Sequence, residues 1–395
     1  AFGVIMSLAS PEKETKSRTG GALYAYGHAV CHGEHEMHAS RSTWRLLACS
    51  VAAAALMPSG ARAQANQAPA LAKSPAPSAT ISRSMLPPGS KESDWTIPGH
   101  DYGSTRYSEL DKITVANVGQ LKESWSYTTG IADGHEGQPL VVGGRMYIVT
   151  PYPNKLVAFD LSKPGPAKLW EFAPEIDQTA FGKACCDDVN RGASYYDGKI
   201  IYNVLDNATV AVDAITGKQV WRTKLADPNQ GSTMTMAPLV AKGKVYVGNS
   251  GGEMGVRGWL TALDAKTGKI VWQAYNTGSD KDVKIGSSYK PFYSSMKVAN
   301  LGVTSWKNDQ WKLGGATVWG WVTFDPASNT VFYGTANPGT WNPDLRPGDN
   351  LFSTSAMARD ADTGALKWAY QYTPHDAWDY DGVNEHIVAD IPFNG

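Results

Sequence analysis

The sequence predicts an all-β fold of repeated four-stranded units, a β-propeller. Composition is the first observation. Gly (40), Tyr (18) and Trp (14) are plentiful, and stretches with helical periodicity are scarce, as in chains made of strands and tight turns. The second is a recurring phrase, apolar-x-Ala-x-Asp-x-x-Thr-Gly-x-x-x-Trp. It reads TVAVDAITGKQVW at Thr209–Trp221, LTALDAKTGKIVW at Leu260–Trp272 and AMARDADTGALKW at Ala356–Trp368. The third is spacing: Trp170, Trp221 and Trp272 lie 51 residues apart, and Trp368 follows 96 later, close to two periods. A period near ~50 with about four short strands is the signature of a propeller blade.

Each copy alternates apolar and polar residues, turns at Asp-x-x-Thr-Gly, and alternates again, which reads as strand, turn, strand. Lys199–Asn203 (KIIYN) and Lys244–Gly248 (KVYVG) supply further strands within a period. Looser copies occur at Leu156–Trp170 and at Trp321–Thr330, and Trp125 stands where an earlier copy would end. Together these suggest about five or six blades. The Thr-Gly turn and the Trp recur once per blade, so they are expected to staple blade to blade rather than to do chemistry.

The chain ends read differently. Residues 1–36 mix Gly, His and charge without a period and read as a non-native upstream extension. His28, Cys31, His32, His35 and His38 resemble a metal cluster only by chance on this reading. From Met37, Arg41 and Arg45 form a basic region, Leu46–Met57 (LLACSVAAAALM) a short apolar core, and Ala61-Arg62-Ala63 a small-x-small cleavage site. That is a secretory signal peptide over 37–63, implying export to the periplasm. Residues 64–93, rich in Ala, Pro, Ser and Gln, read as a flexible leader. Residues 94–395 then form the propeller domain. It ends at Gly395 without enough blades to close a ring, and propellers close to remove exposed edges; an N-terminal fragment is expected. A formal net charge of −1 gives no basic excess for nucleic acid. No apolar run reaches the about 18 residues of a membrane span.

Between the staples lie segments that break the blade pattern: His135–Gln138, Cys185–Arg191, Ser232–Pro238, Ser250–Arg257, Gly315–Trp321, Gly334–Trp341 and Thr373–Glu385. Loops at one end of successive blades converge on a propeller axis, so one polar group per blade can build one central site. In an exported chain, adjacent Cys185 and Cys186 can close an eight-membered disulfide ring that strains the peptide between them, or remain a reduced buried pair. Thr373–Glu385 holds Asp376, Asp379, Asp381 and Glu385 in a chain only 18% charged. Carboxylates so crowded repel one another unless a cation, a catalytic role or water relieves them.

Taken together, these segments resemble the pyrroloquinoline quinone (PQQ)-dependent alcohol dehydrogenases of the methanol/ethanol type, with the lanthanide-type methanol dehydrogenases the best match. The resemblance runs from about Trp95 to the end of the chain. It implies an eight-bladed quinoprotein propeller, here incomplete. It also implies that Cys185 and Cys186 form a vicinal disulfide over one face of PQQ, with Trp319 stacked on the other. Glu136, Arg191, Thr235, Ser250, Gly251 and Gly252 match positions that bond the cofactor. Glu253, Asn337 and Asp379 match metal ligands, Asp379 the catalytic base, and Trp341 a wall of the substrate cavity. Calcium-type relatives carry Ala or Ser where this chain has Asp381. Residues two apart on an extended segment point the same way, so Asp381 is expected to join Asp379 on one ion. Hard oxygen donors suit a lanthanide(III) ion, or alternatively Ca2+, and the added negative charge favours the trivalent ion. Asp376 is left in an outer shell or facing solvent.

The implied activity is oxidation of a primary alcohol to the aldehyde, with electrons passed to a c-type cytochrome. Homodimerisation stays open. Three other readings compete: a non-catalytic propeller scaffold of the outer-membrane-assembly type, a calcium-type ethanol dehydrogenase in which Asp381 is incidental, and an inactive truncated fragment. A scaffold has no need of Cys185, Cys186, Trp319 and Asp379 together.

Overall fold

A computed structural model describes residues 85–390. The expectations for residues 1–36, the signal peptide and the leader up to residue 84 lie outside the described residues. Four four-stranded antiparallel sheets follow one another along the chain. The first contains β1 (Leu140–Val142), β2 (Arg145–Val149), β3 (Leu156–Asp160) and β4 (Lys168–Phe172). The second contains β5 (Ala193–Tyr196), β6 (Lys199–Val204), β7 (Ala208–Asp213) and β8 (Gln219–Lys224). The third contains β9 (Leu239–Ala241), β10 (Lys244–Gly248), β11 (Trp259–Asp264) and β12 (Ile270–Tyr275). The fourth contains β13 (Val322–Asp325), β14 (Thr330–Gly334), β15 (Ser355–Asp360) and β16 (Leu366–Gln371). Each is a simple meander. First strands neighbour one another, β1 beside β5, β5 beside β9 and β9 beside β13, so the sheets stand like blades about a common side.

The number of complete sheets among the described residues is four, not five or six. The Asn329 turn and Trp368 belong to one sheet: the first joins β13 to β14 and the second lies on β16. Trp125 lies in no strand; it packs on Phe159, with ring centroids 5.6 Å apart. The wide spacing before Trp368 has a physical cause. The connection between β12 and β13 carries two short helices, α1 (Asp280–Val283) and α2 (Leu301–Thr304), rather than a sheet.

Strands buried on both faces build the core between sheets. On β6, Ile200, Tyr202 and Val204 join the cluster shared with the first sheet, while Ile201 joins the cluster shared with the third. On β10, Val245 and Val247 face the second sheet, and Tyr246 joins the cluster shared with the fourth. The period of two therefore fills two interfaces from one strand. Tight turns match the strand twist. Asp197 and Gly198 join β5 to β6, and Lys242 and Gly243 join β9 to β10, all four with positive φ, as two-residue hairpins require.

The recurring phrase is a clamp between blades. In the β7–β8 turn, Asp213 accepts from the Thr216 backbone at 2.7 Å and from its hydroxyl at 2.8 Å. Gly217 follows at φ +71, and a Cβ there would sit 2.7 Å from the Trp170 ring of the preceding sheet. Gly268 receives Trp221 and Gly364 receives Trp272 in the same way. The indole nitrogens of Trp221 and Trp272 donate to the Ala265 and Ala361 carbonyls at 3.3 and 3.2 Å. A register shift recurs on the third strand of every sheet, at Ala158, Ala211, Ala262 and Ala358, where a bulge bends the strand into the turn.

The folded part begins earlier than Trp95. Met85 packs against the largest core cluster, and its carbonyl accepts from the Tyr102 backbone at 2.7 Å. Among the described residues, no helix is long and apolar enough to cross a membrane.

Candidate active site

Loops between the sheets meet around a cavity of about 170 Å³. Its walls include Cys185, Cys186, Arg191, Thr235, Ser250, Gly251, Glu253, Trp319, Asn337, Trp341, Asp379 and Asp381, with Ala184 and Val189. Sequence reasoning named the first twelve and missed the last two, which are small apolar residues without a chemical signature. It also named Glu136 and Gly252, which do not line the cavity. Glu136 is half-exposed and ion-paired through Oε2 to Arg191 at 3.0 Å. Gly252 is buried, and a Cβ on it would lie 3.2 Å from the Gly315 Cα. Gly251, at φ +105, leaves room for the Gly231 carbonyl. Gly251 is thus required by neighbouring backbone, whereas a side chain at Gly252 would be tight against it.

Cys185 and Cys186 are joined by a disulfide, the ring rather than the reduced pair. It lies on an exposed turn, with Cys186 and Asp187 in the positive-φ region. Arg191 follows, just before β5. Its guanidinium lies 4.8 Å over the Trp319 ring and donates to the Thr235 hydroxyl at 2.8 Å. The Thr235 and Ser250 hydroxyls are 3.0 Å apart. Burial lowers the Arg191 pKa from its ordinary value, against the pull of Glu136, yet a guanidinium stays charged. A cation, two hydroxyls and a flat aromatic face thus border one side of the cavity. Trp319 sits in an extended connection between β12 and β13, held by Val318 donating to the Asn249 carbonyl at 2.8 Å.

The acidic side is assembled from three loops. Glu253 lies on a single 3-10 turn, Gly252–Met254, after β10. Asn337 follows β14; its backbone N–H donates to Asp381 Oδ1 at 2.9 Å. Asp379 and Asp381 follow β16. Their φ angles are +62 and +47, so the segment is not extended there, contrary to expectation. Both carboxylates still line the cavity, but left-handed turns bring them together rather than strand alternation. Burial raises the Asp381 pKa to about 6, with the backbone bond from Asn337 opposing and the charges of Asp379, Asp376 and Glu253 adding. Burial, then Asp376, raises that of Asp379. Among the described residues, no three His, Cys, Asp or Glu side chains converge into a ready-made metal centre. The donor chemistry nevertheless fits a hard cation: three carboxylates and an amide share one cavity, and a positive ion would relieve the burial and repulsion that protonation otherwise relieves.

Of the two places open to Asp376, the structure has the outer one rather than the solvent-facing one: it is 1% exposed, does not line the cavity, and holds the acidic segment through backbone N–H groups. Arg346, 2% exposed, was absent from the sequence reading altogether. A charged residue in a Pro-rich loop gives no signal that it is buried.

Sheets arranged as blades, with inter-blade loops bringing a disulfide, an aromatic face, a cation and three carboxylates to one cavity, define a ligand-binding propeller equipped for acid–base chemistry. Comparison with known proteins makes this specific. Residues 95–395 match the family described as PQQ: glucose/ethanol/alcohol dehydrogenase, β-propeller domain, and the chain belongs to that family. It is 48% identical over 302 residues to the lanthanide-dependent methanol dehydrogenase of Methylacidiphilum fumariolicum (strain SolV), covering 76% of this chain and 49% of that one. It is 47% identical over 299 residues to methanol dehydrogenase (cytochrome c) subunit 1 of Methylobacterium organophilum, covering 74% and 48%. Among solved structures, a europium-containing methanol dehydrogenase superposes with a TM-score of 0.74 at 47% identity, over 76% of this chain and 52% of that one. The chain spans about half the length of the curated relatives it matches.

Proposed function

We propose that this chain carries the cofactor and metal side of a periplasmic quinoprotein that oxidises a primary alcohol to the aldehyde. The observation that carries the reading is joint occupancy of one cavity: the Cys185–Cys186 disulfide, Trp319, Arg191 and the donors Glu253, Asn337, Asp379 and Asp381 all line it. Names of relatives add lanthanide, methanol and cytochrome c.

When bound, PQQ supplies a carbonyl carbon that accepts hydride from the alcohol carbon, and a lanthanide ion, or alternatively Ca2+, makes that carbon more electrophilic. The chain's own residues do the rest. The disulfide and the Trp319 ring offer two surfaces for a planar ring system. Arg191, Thr235 and Ser250 offer donors for its carboxylate and carbonyl oxygens, and Glu136 keeps the guanidinium oriented. Glu253, Asn337, Asp379 and Asp381 would hold the ion. Asp379 takes the hydroxyl proton as general base, and an ion at the site keeps it ionised for that task. Trp341 limits the alcohol to a small one. A c-type cytochrome would be the acceptor of the two electrons, as the relatives' names suggest.

The test is equilibrium dialysis of the chain with PQQ and lanthanum(III), calcium or chelator. Retention of PQQ with an ion, and its loss with chelator or in Trp319→Ala, is expected. Failure to retain PQQ with either ion, or equal retention by Trp319→Ala, overturns the assignment.

A further inference from the structure

We propose that Asp376 and Arg346 are positioning residues that fix Asp379 and Asp381 on the metal side of the cavity; the inference rests on the reading above. Asp376 does not line the cavity, but its carboxylate grips the backbone on both sides of Asp379. Oδ1 accepts from the Trp378 N–H at 2.9 Å and Oδ2 from the Tyr380 N–H at 3.0 Å. Oδ2 also accepts from the Thr354 hydroxyl at 3.1 Å, which ties the carboxylate to the start of β15. A left-handed conformation such as that of Asp379 (φ +62) is disfavoured for a side chain with Cβ. Two charge-assisted bonds around it hold the segment in that conformation.

Arg346 joins this segment to the loop that carries Trp341. Its guanidinium donates to the Asp376 carbonyl at 2.7 Å and to the Thr340 carbonyl, next to Trp341, at 2.6 Å. Its third bond, 2.9 Å to Asn350 Oδ1, is returned by Asn350 Nδ2 to the Arg346 carbonyl at 2.8 Å. One rigid fork thus sets the distance between the Trp341 wall and the acidic segment. Lys carries its donors on one nitrogen and lacks the planar fork whose separate nitrogens reach the two carbonyls.

The experiment reads the ion rather than turnover. The chain is titrated with terbium(III) in the presence of PQQ, following luminescence sensitised by nearby tryptophans. Lifetimes in H2O and D2O count the waters left on the ion. The variants are Asp376→Asn, Asp376→Ala and Arg346→Lys. Asparagine has one acceptor oxygen for two N–H groups, so one grip is lost whichever way it turns. Expected are affinities weakened about 10- to 100-fold, the usual effect of removing an outer partner of a ligand, with at least one extra water on the ion. Asp206→Asn is the control. Asp206 is as buried, ion-paired to Arg222 at 2.7 Å on the second sheet, and its loss is expected to lower the melting temperature without changing the water count. Hydrogen exchange on the metal-free Asp376→Asn chain gives a second measurement, since the Trp378 and Tyr380 amides are expected to lose protection. A parent chain that binds no terbium removes the functional reading and this inference with it. A parent that binds, with variants of equal affinity and equal water count, removes this inference alone.

Discussion

Gly268→Ala tests the blade clamp in a way that separates backbone from packing. Gly268 sits at φ +72, and the added methyl would lie 2.6 Å from the Thr223 hydroxyl and 2.7 Å from the Trp221 ring. Gly198 is the comparison: it has nearly the same φ, +77, but nothing lies within 4 Å of where an added methyl would sit. For Gly198→Ala only the left-handed backbone counts, about 1–2 kcal/mol, less about 0.4–1 kcal/mol regained from a stiffer unfolded chain. Gly268→Ala adds the displacement of Trp221, which is 9% exposed and loses its bond to Ala265. Full loss of a buried tryptophan costs about 3–5 kcal/mol, and tilting it away costs a large part of that. The expected net losses are therefore about 1 kcal/mol against about 3 kcal/mol or more. Urea unfolding followed by tryptophan fluorescence measures both, and a melting scan is expected to fall by roughly 2–4 °C per kcal/mol. Equal destabilisation of the two variants would refute the clamp, because they share every term except the contacts of the added methyl with the indole and its neighbour.

The other predictions follow from charge and covalent structure. Asp362 accepts from Lys242 at 2.8 Å and Lys244 at 2.7 Å, and these bonds across the third and fourth sheets hold its carboxyl below the usual range. A lowered folded value means its contribution is whole above pH ~4 and fades as pH falls further. It is half-exposed, so Asp362→Asn is expected to cost no more than about 1 kcal/mol at neutral pH; the gap in melting temperature from the parent should narrow in acid. Asp381→Ala should weaken lanthanum binding more than calcium binding, since removing one charge costs a trivalent ion one extra unit interaction, at most ~4 kcal/mol at ~4 Å and an effective dielectric of ~20. Equal losses for the two ions, measured by competitive titration, count against Asp381 as the selecting residue. Reduction of the exposed Cys185–Cys186 bond should leave unfolding nearly unchanged, because it closes no long loop, while PQQ retention in the dialysis assay falls.

What the sequence made legible divides along physical lines. The turn phrase could be read because packing fixes its composition. Only Gly fits under the preceding indole at a positive φ, and Asp closes the turn with the Thr three residues on, as at Asp264 and Thr267. That geometry recurs, so its letters recur. The blade count was harder to read because Trp125 has no Thr-Gly partner and because the β12–β13 connection stretches the period. In the site, residue identities were legible where several unusual types fell in one order along the chain, yet the route by which they meet was not. Asp379 and Asp381 were expected to align by strand alternation and instead turn inward at positive φ. Arg346 marks the deeper limit, and Asp376 shares it in part, since an outer place was open to it but its burial was not legible. A charged residue reads as exposed in a sequence, because burial of an unpaired charge is costly. Here the backbone offsets that cost: Asp376 is satisfied by two N–H groups and a hydroxyl, and Arg346 by two carbonyls and an amide oxygen. Main-chain partners leave no trace in composition or spacing. Residues that support a functional loop through the main chain are therefore where a sequence reading of such a site falls short, and where the structure adds most.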